Sequence, residues 1–411
     1  MSKLLRWLPI ALCGCALIVR LPLAAEEATP ASNFVESVGV NIHLHYQDTA
    51  YADFPQVERA LRDLGVHHLR DGLVLTQWQP YYDRLNALGR DGFKVDLIGA
   101  PGQPESELAA FPRRIPGVME AIEGPNELDQ SGVDWLMRLD AAMSALEPVA
   151  THEKLLLVAP SLTQPNSFTM AVGITPSGTL GNLHNYWSGR NPGTAGWGDN
   201  GYGSYEYQLR LAHQAWPGKL LWTTETGYVM DPALPQGIPE NIAARYMVRL
   251  LLEQYLHGIE RTYLYELLDT EIPAQGVHDR YGLCRSDFEP KPAFIAVRSL
   301  LHMLDEPAGA TIYRNLNLQL TGAPSTLHHM LINKRNGEFY LLLWLEQQGY
   351  DVDRKVELPV QNVRLQARWP GEREITISRF EDDGTLNTLL TQHGTSVDLS
   401  VNDRVTVVRL R

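Results

Sequence analysis

The stretches Glu123-Gly124-Pro125-Asn126-Glu127 and Thr223-Thr224-Glu225-Thr226-Gly227-Tyr228 decide how this chain is read. Each closes an apolar, strand-like run, over 118–122 in the first case and 219–223 in the second, and each turns at once into Gly, Pro or Asn. Glu127 and Glu225 therefore fall at strand C-termini, the end at which a parallel α/β barrel keeps its chemistry. The interval between them, 225 − 127 = 98 residues, equals about three βα units at roughly 30 residues each. Counted outward, the pair lands on strands four and seven of eight.

The flanking sequence completes that count. Strand patterns occupy 38–43, 67–70, 93–98, 155–159, 183–186 and 259–267, and helical periodicity occupies 57–64, 82–88, 133–146, 205–216, 239–256 and 293–304. The run at 155–159 is continuously apolar, as a strand buried on both faces should be. Gly65 and Gly258 stop helices, and Pro239 stands in a first turn. Eight strands alternating with helices predict an α/β fold, a (β/α)8 TIM barrel over 33–306. Beyond Pro307 the texture changes. Residues 327–332, an Asn336-Gly337 turn and 338–344 read as a hairpin. Further short strands follow at 356–358, 363–367, 375–380, 385–390 and 405–410, which predicts a C-terminal antiparallel β-sandwich domain over 308–411. With no internal repeat or low-complexity linker, the two parts should dock tightly.

Composition fits. A chain of 411 residues leaves room for a second module beside a barrel of about 250 residues. Net charge is −13, and loss of Lys3, Arg6 and Arg20 with a leader would make it −16, which argues against nucleic acid and anionic membrane as partners. Glycine-rich phosphate loops, a Gly-x-Ser-x-Gly elbow and a Cys/His catalytic arrangement are missing, so no nucleotide and no cofactor is expected. No His/Asp/Glu group has convincing metal-ligand spacing, so no metal is expected either. Residues 1–25 read as an export signal: basic Lys3 and Arg6, an apolar run over 7–19, and Leu23-Ala24-Ala25 before Glu26. Leu12-Cys13-Gly14-Cys15 leaves lipidation or a retained anchor as alternatives. The expectation is an exported monomer, periplasmic or extracellular, with Cys284 as its one remaining cysteine after cleavage.

Two carboxylates are the minimum apparatus for cutting a glycosidic bond, one holding a proton for the leaving oxygen and the other ionised. An Asn-Glu pair ending strand four, with a lone Glu ending strand seven, resembles clan A of the retaining glycoside hydrolases. Within it, residues 37–304 most resemble family 39 and related secreted exopolysaccharide glycosidases. The resemblance implies Glu225 as nucleophile and Glu127 as acid/base, its carboxyl raised by a neighbouring carboxylate. Glu123, four residues before Glu127, is the competitor. The resemblance further implies that Asn126 binds the 2-hydroxyl of the sugar, that Arg70 holds Glu225 ionised, that Tyr186 supports the nucleophile and that His184 faces substrate. Tyr265-Glu266 stands where many members carry Trp at the end of strand eight, and Gly99 to Gln103 where many carry a His after strand three. Tyr265 and Glu266 are therefore candidate substrate contacts, as are His43 and His45 on strand one.

The Gly-rich loop 187–205 carries Trp187, Trp197, Tyr202 and Tyr205, rings on which sugar C–H faces can rest. Trp78, Tyr81 and Tyr82 are candidates for the opposite wall. The resemblance implies double displacement on a β-linked bacterial polysaccharide or oligosaccharide, and the aromatic loops suggest endo-action. The alternatives are an α-L-arabinofuranosidase of the same clan and a non-catalytic glycan-binding protein on a retired barrel.

Overall fold

The computed structural model describes residues 25–176, 178–272 and 277–411. Apart from Ala25, the expected export signal lies outside these residues. The first element, β1 (Ala25–Pro30), is followed by α1 (Ala31–Glu36) and then by the barrel strands. These are β2 (Val38–Asn41), β3 (His68–Gly72), β4 (Lys94–Ile98), β5 (Met119–Glu123), β6 (Leu156–Val158), β7 (Gly181–His184), β8 (Leu221–Thr226) and β9 (Ile259–Leu264). The helices that follow them in turn are α2 (Phe54–Leu64), α3 (Gln79–Arg90), α4 (Glu105–Ala110), α5 (Trp135–Glu153), α6 (Pro165–Met170), α7 (Tyr205–Ala215), α8 (Glu240–Leu256) and α9 (Pro292–Leu304).

The strands pair in parallel in the order β6-β5-β4-β3-β2-β9-β8-β7. Leu180 closes the ring. Its N–H donates to Leu157 O and its carbonyl accepts from Ala159 N, both at 2.8 Å. The result is a (β/α)8 barrel. Local chemistry agrees with it at helix ends: the Asp53 side chain accepts from Gln56 N at the start of α2, and Gly65, at φ 83°, ends that helix. The barrel is tight enough that a Cβ at Gly39 would sit 2.5 Å from the Tyr263 ring.

Beyond β9 come the short pair β10 (Glu271–Ile272) and β11 (Val277–His278), and then the accessory sheet. Its strands are β12 (Arg314–Asn317), β13 (Gln319–Thr321), β14 (Leu327–Asn333), β15 (Phe339–Leu345), β16 (Tyr350–Asp351), β17 (Val356–Glu357), β18 (Val363–Phe380), β19 (Leu386–Val401) and β20 (Thr406–Leu410), of which β16 and β17 pair only with each other. The order β12-β1-β14-β15-β20-β18-β13, with β19 on β18, departs from the sequence expectation, which also lacks β12 and β13 and ends the β19 pattern at 390. Residues 25–30 join this sheet: β1 runs antiparallel to β12 and parallel to β14. Residues 363–380 are one strand, not two. Pro370 and Gly371 (φ 78°) do not end it but are absorbed as a bulge between Arg368 and Arg373, where the register shifts. A bulge bends a strand while letting pairing resume beyond it. The curled sheet makes a β-sandwich around Leu341, Leu343, Leu365, Ala367, Val397 and Leu399.

Strand β15 is buried on both faces. Phe339, Leu341, Leu343 and Leu345 face the sandwich core, whereas Tyr340, Leu342 and Trp344 join the core shared with the barrel. Opposite it lies α8, in which every residue from 242 to 254 is buried. Arg245, Arg249 and Glu253, one helical turn apart, form a polar stripe towards the accessory domain. Arg245 donates to both oxygens of Asp382 (2.7 and 2.8 Å), Arg249 grips Glu346, and Glu253 bonds His328 (2.6 Å) and Trp344 Nε1 (3.0 Å). Among the described residues no helix is long and apolar enough to cross a membrane.

Candidate active site

The C-terminal ends of β3, β5, β7 and β8 bring Arg70, Glu123, Glu127, His184 and Glu225 together. Arg70, on the second strand of the barrel, is 1% exposed and uses all three guanidinium nitrogens. Its Nε and one Nη hold Glu123 bidentately (2.7 and 2.8 Å), and that same Nη donates to Asn126 Oδ1 (2.7 Å). The other Nη donates to Glu225 (2.7 Å) and to Asn41 Oδ1 (2.9 Å). Arg70 thus has no N–H left for a ligand, and its place is behind Glu225, not against substrate. Glu123 is fully buried and also accepts from Asn182 (2.9 Å) and Thr224 (3.1 Å). It is consumed by the framework, which removes it as a competitor of Glu127. Beneath it, burial and the Glu123 charge raise the Asp96 carboxyl far above its usual range despite Arg70. Asp96 is fully buried, which disfavours its charged form.

Glu225 accepts from Arg70 on one oxygen and from Tyr186 Oη (3.1 Å) on the other. Burial acts to raise its carboxyl. The charges of His184 and Arg70, with the Arg70 and Tyr186 hydrogen bonds, outweigh that and hold it below the ordinary carboxylate range. Glu127 follows β5 in the left-handed region (φ 44°, ψ 38°), which costs a residue with a Cβ about 1–2 kcal/mol. Its N–H donates to Ser161 Oγ (3.0 Å), and its carboxylate meets His184 Nδ1 (2.8 Å) and Gln130 Nε2 (2.9 Å). The ligand atoms of Glu127, His184 and Glu225 all lie within 4.8 Å of one another.

His184 is the link between the two glutamates, 2.8 Å from Glu127 and 3.5 Å from Glu225, and its side chain is only 1% exposed. The hydrogen-bond directions around it are constrained. Thr224 Oγ1 lies 2.8 Å from Asn182 Oδ1 and 3.1 Å from Glu123, both acceptors, so its single proton is directed to this pair. It must then accept from His184 Nε2 at 3.0 Å. Nδ1 is left facing Glu127, and a single proton lies between those two groups, on one or the other. Such a relay suits proton transfer. The same three residues could hold a cation only by displacing that proton, next to a guanidinium that already neutralises Glu225.

Asn126 is exposed. Its Oδ1 is committed to Arg70, which turns Nδ2 outward as a donor to the cleft. An aromatic strip crosses the floor opposite, in which Tyr46 stacks on His43 (4.5 Å), His43 meets Tyr265 (5.8 Å), and Tyr281 touches both Tyr265 and Tyr186 (5.6 Å each). Tyr46 and Tyr281 lie in loops, where no periodicity marks them as site residues. Burial lowers the His43 ring, but the hydrogen bond and charge of Glu266, 3.2 Å away, together with the charges of Asp71 and Glu225 outweigh it, so its net shift is upward.

Two of the expected substrate contacts are overturned. Glu266 is fully buried and bonded to Tyr51 (3.1 Å) and Thr270 (3.2 Å), so it reaches a sugar only through His43. Trp187 is also fully buried and packs on Tyr205 at 4.5 Å, as core. Tyr81 and Tyr82 are buried as well, so they line no wall. The cleft-facing rings of the long loop are Trp197 and Tyr202. They bound a cavity of about 230 Å³ that opens beside Glu127, His184 and Tyr186.

No protein-family model and no curated protein matches the chain by sequence. Solved structures do match in fold. A family 39 glycoside hydrolase from the gut symbiont Bacteroides cellulosilyticus WH2 superposes with a TM-score of 0.65 at 14% identity, over 92% of this chain and 82% of that one. A monomeric β-xylosidase from Caulobacter crescentus CB15 gives 0.60 at 15% identity, over 94% and 97%. A family 51 arabinofuranosidase from Xanthomonas axonopodis pv. citri gives 0.57 at 12%, over 96% and 98%. At these identities the likeness establishes a common fold with these three structures.

Proposed function

We propose that the protein is a retaining glycoside hydrolase in which Glu225 is the nucleophile and Glu127 the acid/base. The observation that carries this reading is that one carboxylate oxygen of Glu127 and one of Glu225 lie within 4.8 Å of each other, with His184 between the two groups and with unlike surroundings. Retaining enzymes hold their carboxyl groups about 5–5.5 Å apart, while inverting ones leave about 6.5–9.5 Å for a water. Glu225, held ionised by Arg70 and Tyr186, attacks the anomeric carbon as Glu127 gives its proton to the glycosidic oxygen, which leaves as an alcohol. Glu127, now a carboxylate, takes a proton from water, and the hydroxide displaces Glu225. Asn126 Nδ2 is placed to donate to the sugar's 2-hydroxyl in the transition state.

The substrate we propose is a β-linked bacterial polysaccharide, cut internally by an exported, monomeric enzyme. The alternative glycone is α-L-arabinofuranose, favoured by the likeness to the family 51 arabinofuranosidase. The test is incubation with 2-deoxy-2-fluoro glycosides of both sugar classes, followed by peptide mass analysis. A glycosyl adduct on Glu225 is expected, and the sugar that labels fastest identifies the glycone. Binding without an adduct would mean a glycan-binding barrel instead, and an adduct elsewhere would remove Glu225 as nucleophile.

A further inference from the structure

The accessory domain reaches the long loop after β7. Glu346, at the end of β15, is 8% exposed and is gripped by Arg249 at 2.9 and 2.5 Å. The oxygen nearer Arg249 also accepts from Asn191 Nδ2 (2.6 Å) and from Gly193 N (2.9 Å), both in the long loop after β7. Gly193 is seated so closely that a Cβ there would meet Glu346 Cγ at 2.3 Å. Nearby, Gly189 leaves no room for a Cβ against Val352 (2.7 Å), and Tyr228 Oη holds the Arg190 carbonyl (3.0 Å). The first half of the loop is therefore clamped to the accessory domain by buried polar groups.

The second half of the loop forms a rigid aromatic flap. Trp197 N donates to Tyr202 O (2.7 Å), their rings meet at 5.4 Å, and Trp197 lies flush on Gly203. Arg190, just before the clamp, places its guanidinium 4.6 Å from the Trp197 ring. Tyr202 is 42% exposed and borders the cavity beside Glu127. The cavity between this flap and α7 is lined by Glu127, His184 and Tyr186 at its inner end but not by Glu225. A leaving group must lie on the side of the acid that protonates it, and the cleaved sugar on the side of the nucleophile.

We infer that the Trp197–Tyr202 flap is the binding wall for the leaving-group sugar, and that Glu346 of the accessory domain is the positioning residue that fixes it. The inference rests on the assignment of Glu127 as acid/base and extends it to a ligand class, a leaving group with a flat C–H face, meaning a further pyranose unit and not a small alcohol. The accessory domain is then part of the specificity apparatus, acting through a charged clamp on a loop that the barrel holds only in part.

Two measurements on the full-length protein test the two halves. Amide hydrogen exchange compares wild type with Glu346→Gln. Exchange at Trp197, whose N–H closes the flap, and at Gly193 should quicken at least ~10-fold while the β5 and β8 amides keep their rates. Unchanged exchange at both amides overturns the clamp, with or without any activity. Kinetics then compare wild type with Trp197→Ala on matched glycosyl fluorides and disaccharides of xylose, glucose and arabinose. The fluoride has no sugar on the leaving side. Trp197→Ala should cost kcat/KM at least ~10-fold more on the disaccharide than on its fluoride, chiefly through KM. Equal losses on both would place the flap on the glycone side and overturn the assignment. Failure to hydrolyse any of these sugars, with Glu225 unlabelled by the fluoro glycosides, would count against the hydrolase reading, and the exchange rates alone would then decide whether the clamp exists.

Discussion

Two buried arginines organise this molecule, and they treat their glutamates differently. Arg70, at the barrel mouth, divides its donors among Glu123, Glu225, Asn41 and Asn126. Arg249, under the accessory domain, spends them on Glu346 and the Gln347 carbonyl and leaves one Nη without a partner. The first cation holds one carboxylate as framework and keeps a second, Glu225, ionised at the edge of a cleft. The second has one carboxylate, which it shares with a loop. A buried cation with a surplus carboxylate is a device for chemistry, whereas a buried pair that closes on itself is a device for docking.

The largest effect that could break this contrast is on turnover. Glu225→Ala should lower kcat by on the order of 10⁵-fold, restored in part by azide, with a cooperative thermal transition retained. If the variant instead unfolded, Glu225 would be framework like Glu123. Next come losses of stability. Glu123→Ala strips Arg70 of its bidentate partner and should cost about 3–5 kcal/mol in urea unfolding, as should Arg249→Met, which leaves Glu346 buried without its cation. Arg249→Met combined with Glu346→Leu should recover part of the loss, because an apolar pair leaves no buried charge, while Asn191 Nδ2 and Gly193 N lose their acceptor. A cycle with simply additive losses would deny the docking pair its coupling.

A smaller effect distinguishes what Arg70 and Tyr186 do for Glu225. Its folded carboxyl lies below the ordinary range because both groups stabilise the charged form, so removing either should raise it and move the acid limb of kcat/KM upward. Tyr186→Phe removes one hydrogen bond from a neutral donor to the charged carboxylate, about 1.5–3 kcal/mol or roughly 1–2 pKa units. Arg70→Met removes a charge as well and should shift the limb further, in whatever fraction folds. An acid limb that stays put in both would assign the depressed carboxyl to His184 alone.

What the sequence disclosed follows from where its signals are physical. Glu127, Asn126 and Glu225 stand out because Gly, Pro and Asn punctuate strand ends, and the barrel because period 2 alternates with period 3.6. Asn41, Asp96, Asn182 and Thr224 escaped notice, since a polar residue inside a short strand has no pattern to mark it as part of a network. Trp187 and Trp197 could not be told apart in an irregular, Gly-rich loop, where spacing carries no side-chain direction. Nor could Glu266 be told from a cleft residue one position after Tyr265. The docking surface was legible in principle: Arg245, Arg249 and Glu253 repeat every four residues in an otherwise apolar helix, a stripe that solvent would not need. The bulge at Pro370-Gly371 was not legible, because the same pair ends strands as readily as it bends them.

The smallest expected effect concerns the last member of the docking stripe. His328 on β14 bonds Glu253 at 2.6 Å, and that hydrogen bond raises its ring above the usual value against the opposing pull of burial. Glu346 adds to the rise, and Arg249 works against it. The sign of the linkage is fixed by this direction. A histidine raised in the folded state binds its proton more tightly there than in the unfolded chain. Its contribution is fully present below the unfolded value near 6.5 and is lost as pH rises through the higher folded value. The His328 side chain is 35% exposed, so solvent screening keeps the effect modest. The midpoint of thermal unfolding should therefore be lower in His328→Gln than in wild type at pH 5.5, and the two curves should converge above pH 8. The difference should also shrink in high salt, whereas an Arg249→Met deficit, buried from counterions, should not. A His328→Gln deficit that persists undiminished at pH 8 would mean that the ring acts by packing on Trp344, 6.0 Å away, and not by its charge.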